Sequence, residues 1–364
     1  MGSNLSKKNN KNSDGKENLN KKEKEKNDVI FNKKSIDSKL PLFNYKFIRD
    51  IAIDSYSYGI DNTMDIFKSI NNNILYFIYT NRNYSIISYN LINNQKINEI
   101  KKAHDSSITN FRHYLYKEKN QELIISTSIN NNLKLWRINN WECLLNIELI
   151  YEKGCLWSAC FLILENKINI LTTNSYAYGP IKVYNLNGVK IKEINNSIDG
   201  INYIDIYYDN KNMKIYILTG NKGFVKSYDY NDNNIYHIYK DNDIKNHNSL
   251  RIINENNLIK LIESSLDGNI RIWNFHTGQL LNKIYISDKI YGICLWDNDY
   301  LFVGCDDNTI KILDVKQSKV IKKILGHKRS VLVLLKVNIP KYGECLISQE
   351  NGRITKLWAI KLIN

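Results

Sequence analysis

The sequence predicts an all-β fold made of seven repeats of one four-stranded unit, and three observations lead there. From Tyr45 onward, short runs rich in Ile, Tyr, Val and Leu alternate with Asn, Asp and Gly clusters, which is the pattern of strands and turns. No long 3.6-residue periodicity interrupts them. Seven strands of one type, "YSIISYN", "NLKLWRI", "PIKVYNL", "FVKSYDY", "NIRIWNF", "TIKILDV" and "RITKLWAI", carry the markers Tyr89, Trp136, Tyr184, Tyr228, Trp273, Leu313 and Trp358 at intervals of 47, 48, 44, 45, 40 and 45 residues. Such a period holds four strands and their turns.

Before most marker strands lies a β-rich run ending in a tight turn, as in "LIESSLDGN", "LFVGCDDNT" and "CLISQENGR". The Asp-Gly and Asn-Gly pairs there tolerate positive φ and suit a hairpin. A further strand follows each marker, such as "QLLNKIYI" or "KVIKKILG". In this order of parts, residues 45–364 resemble the WD-repeat β-propeller family.

The resemblance implies a seven-bladed β-propeller. It also implies a buried hydrogen-bond network of a His, a Ser or Thr, a turn Asp and the marker Trp in each blade. By position the fifth unit has all four, in His247, Ser265, Asp267 and Trp273. The second has His104, Ser128 and Trp136, with Asn130 in place of the Asp. The sixth keeps Asp307 without the His or the Trp, and the seventh carries the Gly326–His327 pair and Trp358. Packing between neighbours carries much of the stability of repeat arrays, so such departures weaken single blades and leave the fold intact.

The last unit ends at "KLWAIKLIN", without a fourth strand. "YKFIRDIAI", residues 45–53, is a β-like run left over ahead of the first unit. The resemblance implies that this N-terminal strand closes the ring as the outer strand of the seventh blade.

Residues 1–40 hold eleven Lys, six acids and few large apolar side chains, too little to offset the entropy of ordering, and are expected to form a disordered tail. The start "MGSNLSKK" fits the N-myristoylation pattern at Gly2 and resembles the N-terminus of Src-type tyrosine kinases. One myristoyl chain binds bilayers weakly, with K on the order of 10⁴ M⁻¹. Lys7, Lys8 and Lys11 would add electrostatic attraction to an anionic membrane surface. The expectation is a peripheral, reversible association at a cytoplasmic membrane face, the alternative being a soluble adaptor in cytosol or nucleus.

The net charge of +14 comes mostly from Lys, with 43 Lys to 8 non-adjacent Arg, so no specific nucleic acid is expected as a partner. The six cysteines form no C-x-x-C pair, which leaves them as reduced thiols, and no metal or cofactor is expected. The Ser, His and acidic residues that resemble a hydrolytic triad fall on network positions, no Gly-rich phosphate loop occurs, and an enzyme is not expected.

A propeller's usable asset is its faces. The resemblance implies that the second position of each inner strand sits on the upper rim. Aligning "TMDIFK", "ITNFRH", "LWSACF", "INYIDI", "LRIINE", "IYGICL" and "VLVLLK" places Met64, Thr109, Trp157, Asn202, Arg251, Tyr291 and Leu332 there. Trp157, Arg251 and Tyr291 are of the types enriched at protein–protein hot spots. Trp141 replaces the family's turn Gly in "NNWECL" and is expected on the opposite face as a further partner-binding residue. The function expected is a non-catalytic, monomeric scaffold that binds one or more proteins.

Overall fold

The computed structural model describes residues 42–364 apart from 57–62, 150–153, 174, 176–178, 195–199, 243–244, 352–353 and 364. It contains seven four-stranded antiparallel sheets. The first six are each built from four consecutive strands, beginning with the inner strands Met64–Lys68, Ile108–Tyr116, Ala159–Leu164, Ile201–Asp209, His247–Glu255 and Ile290–Leu295. The seventh is assembled from Val331–Ile339, Gly343–Glu350, Thr355–Ile363 and, at its outer edge, the N-terminal strand Leu42–Ala52. Each inner strand touches the inner strands on both sides, and the seventh touches the first, so the seven sheets form a closed β-propeller around an axis.

The two faces of each sheet explain why the second and third strands read as continuous apolar runs. In Gln121–Ser128, Leu123 and Ile125 pack toward the third blade while Ile124 packs toward the first. Seven apolar clusters result, one at each seam between neighbours. Every marker residue belongs to the seam with the preceding blade: Trp136 to that of blades 1 and 2, Trp273 to that of blades 4 and 5, Leu313 to that of blades 5 and 6. What a marker must supply is bulk against its neighbour, so Tyr or Leu can replace Trp.

The closing strand starts three residues earlier than the sequence indicates. It pairs from Leu42↔Ile363 to Ala52↔Thr355, with bulges after Phe47 and Asp50. Phe47 and Tyr45 meet Trp358 edge to face at 5.4 and 6.2 Å. Asp50 accepts from Lys356 at 3.0 Å, and Phe43 lies edge-on to Tyr300 and Phe302 of the sixth blade. The strand thus seals two joints, its own sheet and the sixth seam.

Candidate functional site

Among the described residues, blades 2 and 7 each contain a His–Ser–Trp relay, and in blade 2 its serine is not the one expected from the sequence. In blade 2 the Trp136 Nε1–H donates to Ser126 Oγ at 2.8 Å, and the same Oγ lies 2.7 Å from His104 Nε2. Blade 7 repeats this with Trp358, Ser348 and His327 at 2.7 Å for both contacts. Ser128 was expected in the network, but it sits two residues nearer the hairpin and bonds Asn130 instead. Alternation puts both serines on one face of the strand, but Ser126 stands level with the Trp136 indole N–H, whereas Ser128, one step nearer the turn, bonds the turn residue Asn130. Burial and the Lys134 charge press the His104 pKa down to about 3, so its ring is neutral. In blade 7, Glu350 takes the acidic place, with Oε2 3.1 Å from His327 Nδ1 and 2.9 Å from the Lys328 amide. Gly326 there has φ +132°, and a Cβ would come within 2.8 Å of the Trp358 ring, which is why glycine precedes this histidine.

The fifth blade, complete by sequence, is rebuilt around a charge. Strand register places Glu263 where blades 2 and 7 have their serine. His247 Nδ1 faces the Glu263 carboxylate. Fully buried Arg271 reaches Glu263 at 3.3 Å, Asp241 at 2.7 Å and the Asp267 carboxylate. Ser265 donates to Asp267, and the Trp273 indole N–H has no acceptor among the described residues. Burial opposes ionisation of Asp267, but its bonds from Arg271 and Ser265 outweigh that and hold it at about 2. Asp307 of blade 6 follows the same plan, pairing with Lys311 at 2.8 Å. Ser265, His247 and Asp267 therefore serve the core, and His247 and Ser265 are closed to solvent.

Ladder register corrects the upper ring. Phe111↔Ser126 and Leu250↔Glu263 are equivalent pairs, so Arg251 aligns with Arg112, three positions deeper than Thr109. The position level with Thr109 and Trp157 in blade 5 belongs to Asn248. Met64 also lies too deep, at the level of Phe111. Met64, Thr109 and Leu332 are buried and present nothing to a partner. Trp157, Asn202, Asn248 and Tyr291 are half-buried at the start of their inner strands.

Arg251 instead belongs to a ring inside the channel, formed with Asp65, Arg112, Cys160, Asp205, Cys294 and Leu335 by the same register. Its guanidinium donates to Tyr203 Oη at 3.1 Å, Ser249 Oγ at 2.8 Å and the carbonyls of Leu250 and Ile293 at 2.8 and 2.9 Å. Arg112 reaches the same Tyr203 hydroxyl at 3.3 Å and Asp205 at 3.8 Å. One tyrosine of blade 4 thus joins arginines of blades 2 and 5. Burial lifts Asp65 to about 6 against the amides of Ile66 and His113 and the charge of Arg112. Burial first, then Asp205, pushes the Cys160 thiol up.

On the opposite face Trp141 has φ +56°, in the turn where blades 3 and 5 use Gly188 and Gly278. Its ring packs edge-on to Tyr76 at 6.4 Å and against the seam of blades 1 and 2, so it is half-buried. Gly2, Lys7, Lys8 and Lys11 lie outside the described residues. Among those described, no three His, Cys, Asp or Glu side chains cluster as metal ligands, and no helix is long and apolar enough to cross a membrane.

No family model matches the chain. A stretch of 68 residues, 18% of the chain, is 34% identical to the U3 small nucleolar RNA-associated protein 21 homolog of Schizosaccharomyces pombe. Another match covers 71 residues, 20% of the chain, at 28% identity to myosin heavy chain kinase C of Dictyostelium discoideum. The chain spans 8% and 9% of the length of these relatives.

Proposed function

We propose that the protein is a WD-repeat-type interaction scaffold whose upper face, around Trp157, Asn202, Asn248 and Tyr291, binds a protein partner. The carrying observation is that the polar and acidic residues resembling a catalytic set are consumed by the blade cores, while this ring keeps half-buried side chains at the rim. Half-buried aromatic side chains beside amides match the make-up of hot spots and their surround. Arg251 supports the ring from below by bonding Tyr203 and Ile293. The test is quantitative co-purification with Trp157→Ala and Tyr291→Ala proteins, with melting temperature measured beside it. Lost partners at unchanged stability support the scaffold; unchanged partners contradict this face.

The finer part of the reading is a reversible tether through acylated Gly2, supported by the residues Gly2, Ser6 and Lys7. The likeness to a U3 small nucleolar RNA-associated protein of fission yeast favours a second reading, an adaptor in a ribonucleoprotein assembly. Membrane fractionation of wild type and Gly2→Ala separates them. A shift of Gly2→Ala to the soluble fraction supports the tether, and identical distribution supports the adaptor.

A further inference from the structure

On the lower face, opposite the ring of Trp157 and Tyr291, a cavity of about 520 Å³ opens between blades 4 and 5. Three turns wall it: the one after Ile201–Asp209, the one after His247–Glu255, and the one after Asn269–Asn274, which carries His276. Buried Ile259 and the half-buried Tyr207 ring supply its apolar surface. One side of Tyr207 is covered by Tyr216, stacked at 6.3 Å, and Phe275 meets it edge-on at 5.0 Å. The ring is therefore fixed before any ligand arrives.

The polar side chains of the cavity are held in place but not used up. Asp209 is only 4% exposed. Burial opposes its ionisation, yet the bonds from Asn212 and the nearby His276 ring outweigh that and hold the carboxyl below its usual range. Oδ1 accepts the Lys211 and Asn212 amides at 3.1 Å, whereas Oδ2 has one donor, Asn212 Nδ2 at 2.8 Å. His276 Nδ1 meets Tyr236 Oη at 3.2 Å, and its Nε2 lies 3.7 Å from Asp209 Oδ2, too far for a hydrogen bond. The side-chain amides of Asn254 and Asn257 and the Tyr207 hydroxyl bond no other described residue. Exposed Lys211 pairs with no described carboxylate, so its charge offsets that of Asp209 and the cavity is close to neutral.

We propose that this cavity binds one pyranose ring of a neutral saccharide. A sugar hydroxyl donates and accepts at once, as a serine hydroxyl does, which suits amides and an imidazole set beside a carboxylate. The C–H groups on one face of a pyranose carry slight positive charge and pack on the negative face of an aromatic ring such as Tyr207. The volume falls within the range of small-molecule sites. Near-neutrality gives neither a cation nor an anion an advantage. The inference concerns the face opposite the proposed partner ring and does not rest on the scaffold reading.

The test is ligand-observed NMR titration of the full chain with glucose, galactose, mannose, N-acetylglucosamine and maltose, with choline and adenosine as cationic and aromatic comparisons. The expected result is saturable, millimolar binding of at least one saccharide. At least tenfold should be lost in Asn254→Ala/Asn257→Gly at unchanged melting temperature, the glycine keeping the positive φ of Asn257. None should be lost in Arg82→Ala on the other face. Tyr207→Ala should abolish binding. No saccharide saturating at tens of millimolar, equal binding by the double variant, or binding of choline or adenosine in place of every saccharide each overturns the proposal. Should the Trp157→Ala and Tyr291→Ala proteins lose their partner while no saccharide binds, the cavity proposal falls and the scaffold stands.

Discussion

Ser126 Oγ lies 2.8 Å from the indole nitrogen of Trp136, a bond between the second and third strands of blade 2 that is buried on both sides. The same oxygen holds His104. Removing it strands two buried polar groups, each worth about 1–3 kcal/mol when left unsatisfied. Ser126→Ala is therefore expected to destabilise by about 3 kcal/mol in urea denaturation, and Ser128→Ala, which loses a turn contact, by about 1 kcal/mol. Equal losses would put the relay serine back at Ser128.

His104 also sets a pH dependence. Above pH 6.5 the ring is neutral whether the chain is folded or unfolded, and its contribution is complete. As pH falls from 6.5 toward the folded value of about 3, the unfolded chain takes a proton that the folded one refuses, and stability is lost at about 1.4 kcal/mol per pH unit. Between pH 7 and pH 5 the wild type should lose about 2 kcal/mol more than His104→Gln, although the variant is weaker at pH 8. Parallel denaturation curves at the two pH values would show that the ring titrates freely.

Trp157 and Arg251 should separate under substitution. Arg251→Ala breaks bonds to Tyr203 and to the Ile293 carbonyl and leaves the channel with an unbalanced ring, so a fall of about 2–3 kcal/mol in stability is expected. Trp157→Ala should leave the melting transition near wild type and weaken partner binding by about 2 kcal/mol. Calorimetric melting beside affinity measurement checks both. The reverse outcome would return Arg251 to the rim.

What the sequence showed well was periodic. The blade count follows from the marker spacing, and the closing strand from a β-like run with no other partner, because period and strand composition are properties of the chain itself. The side-chain network was less legible, because it turns on the position where blade 2 has Ser126 and blade 5 has Glu263, and only the ladder register shows that these two are equivalent. Trp136 minus ten residues is the signal that finds it: the same offset gives Ser348 from Trp358 and Glu263 from Trp273. Arg251 was misplaced because the inner strands share no marker residue that fixes their level, which only the ladder pairs Phe111↔Ser126 and Leu250↔Glu263 supply.

The closed ring is the foundation of this account, and a disulfide across its last joint tests it most directly. Lys46 and Ala359 are Cα partners in the seventh sheet, 313 residues apart in sequence. A Lys46→Cys/Ala359→Cys chain is expected to form that bond on mild oxidation. The cross-link should appear by peptide mass mapping and raise the melting temperature, because it constrains the unfolded chain by up to about 5 kcal/mol. Absence of the 46–359 cross-link in the oxidised, folded protein would show that the N-terminal strand does not complete the seventh blade, and would contradict the closed propeller.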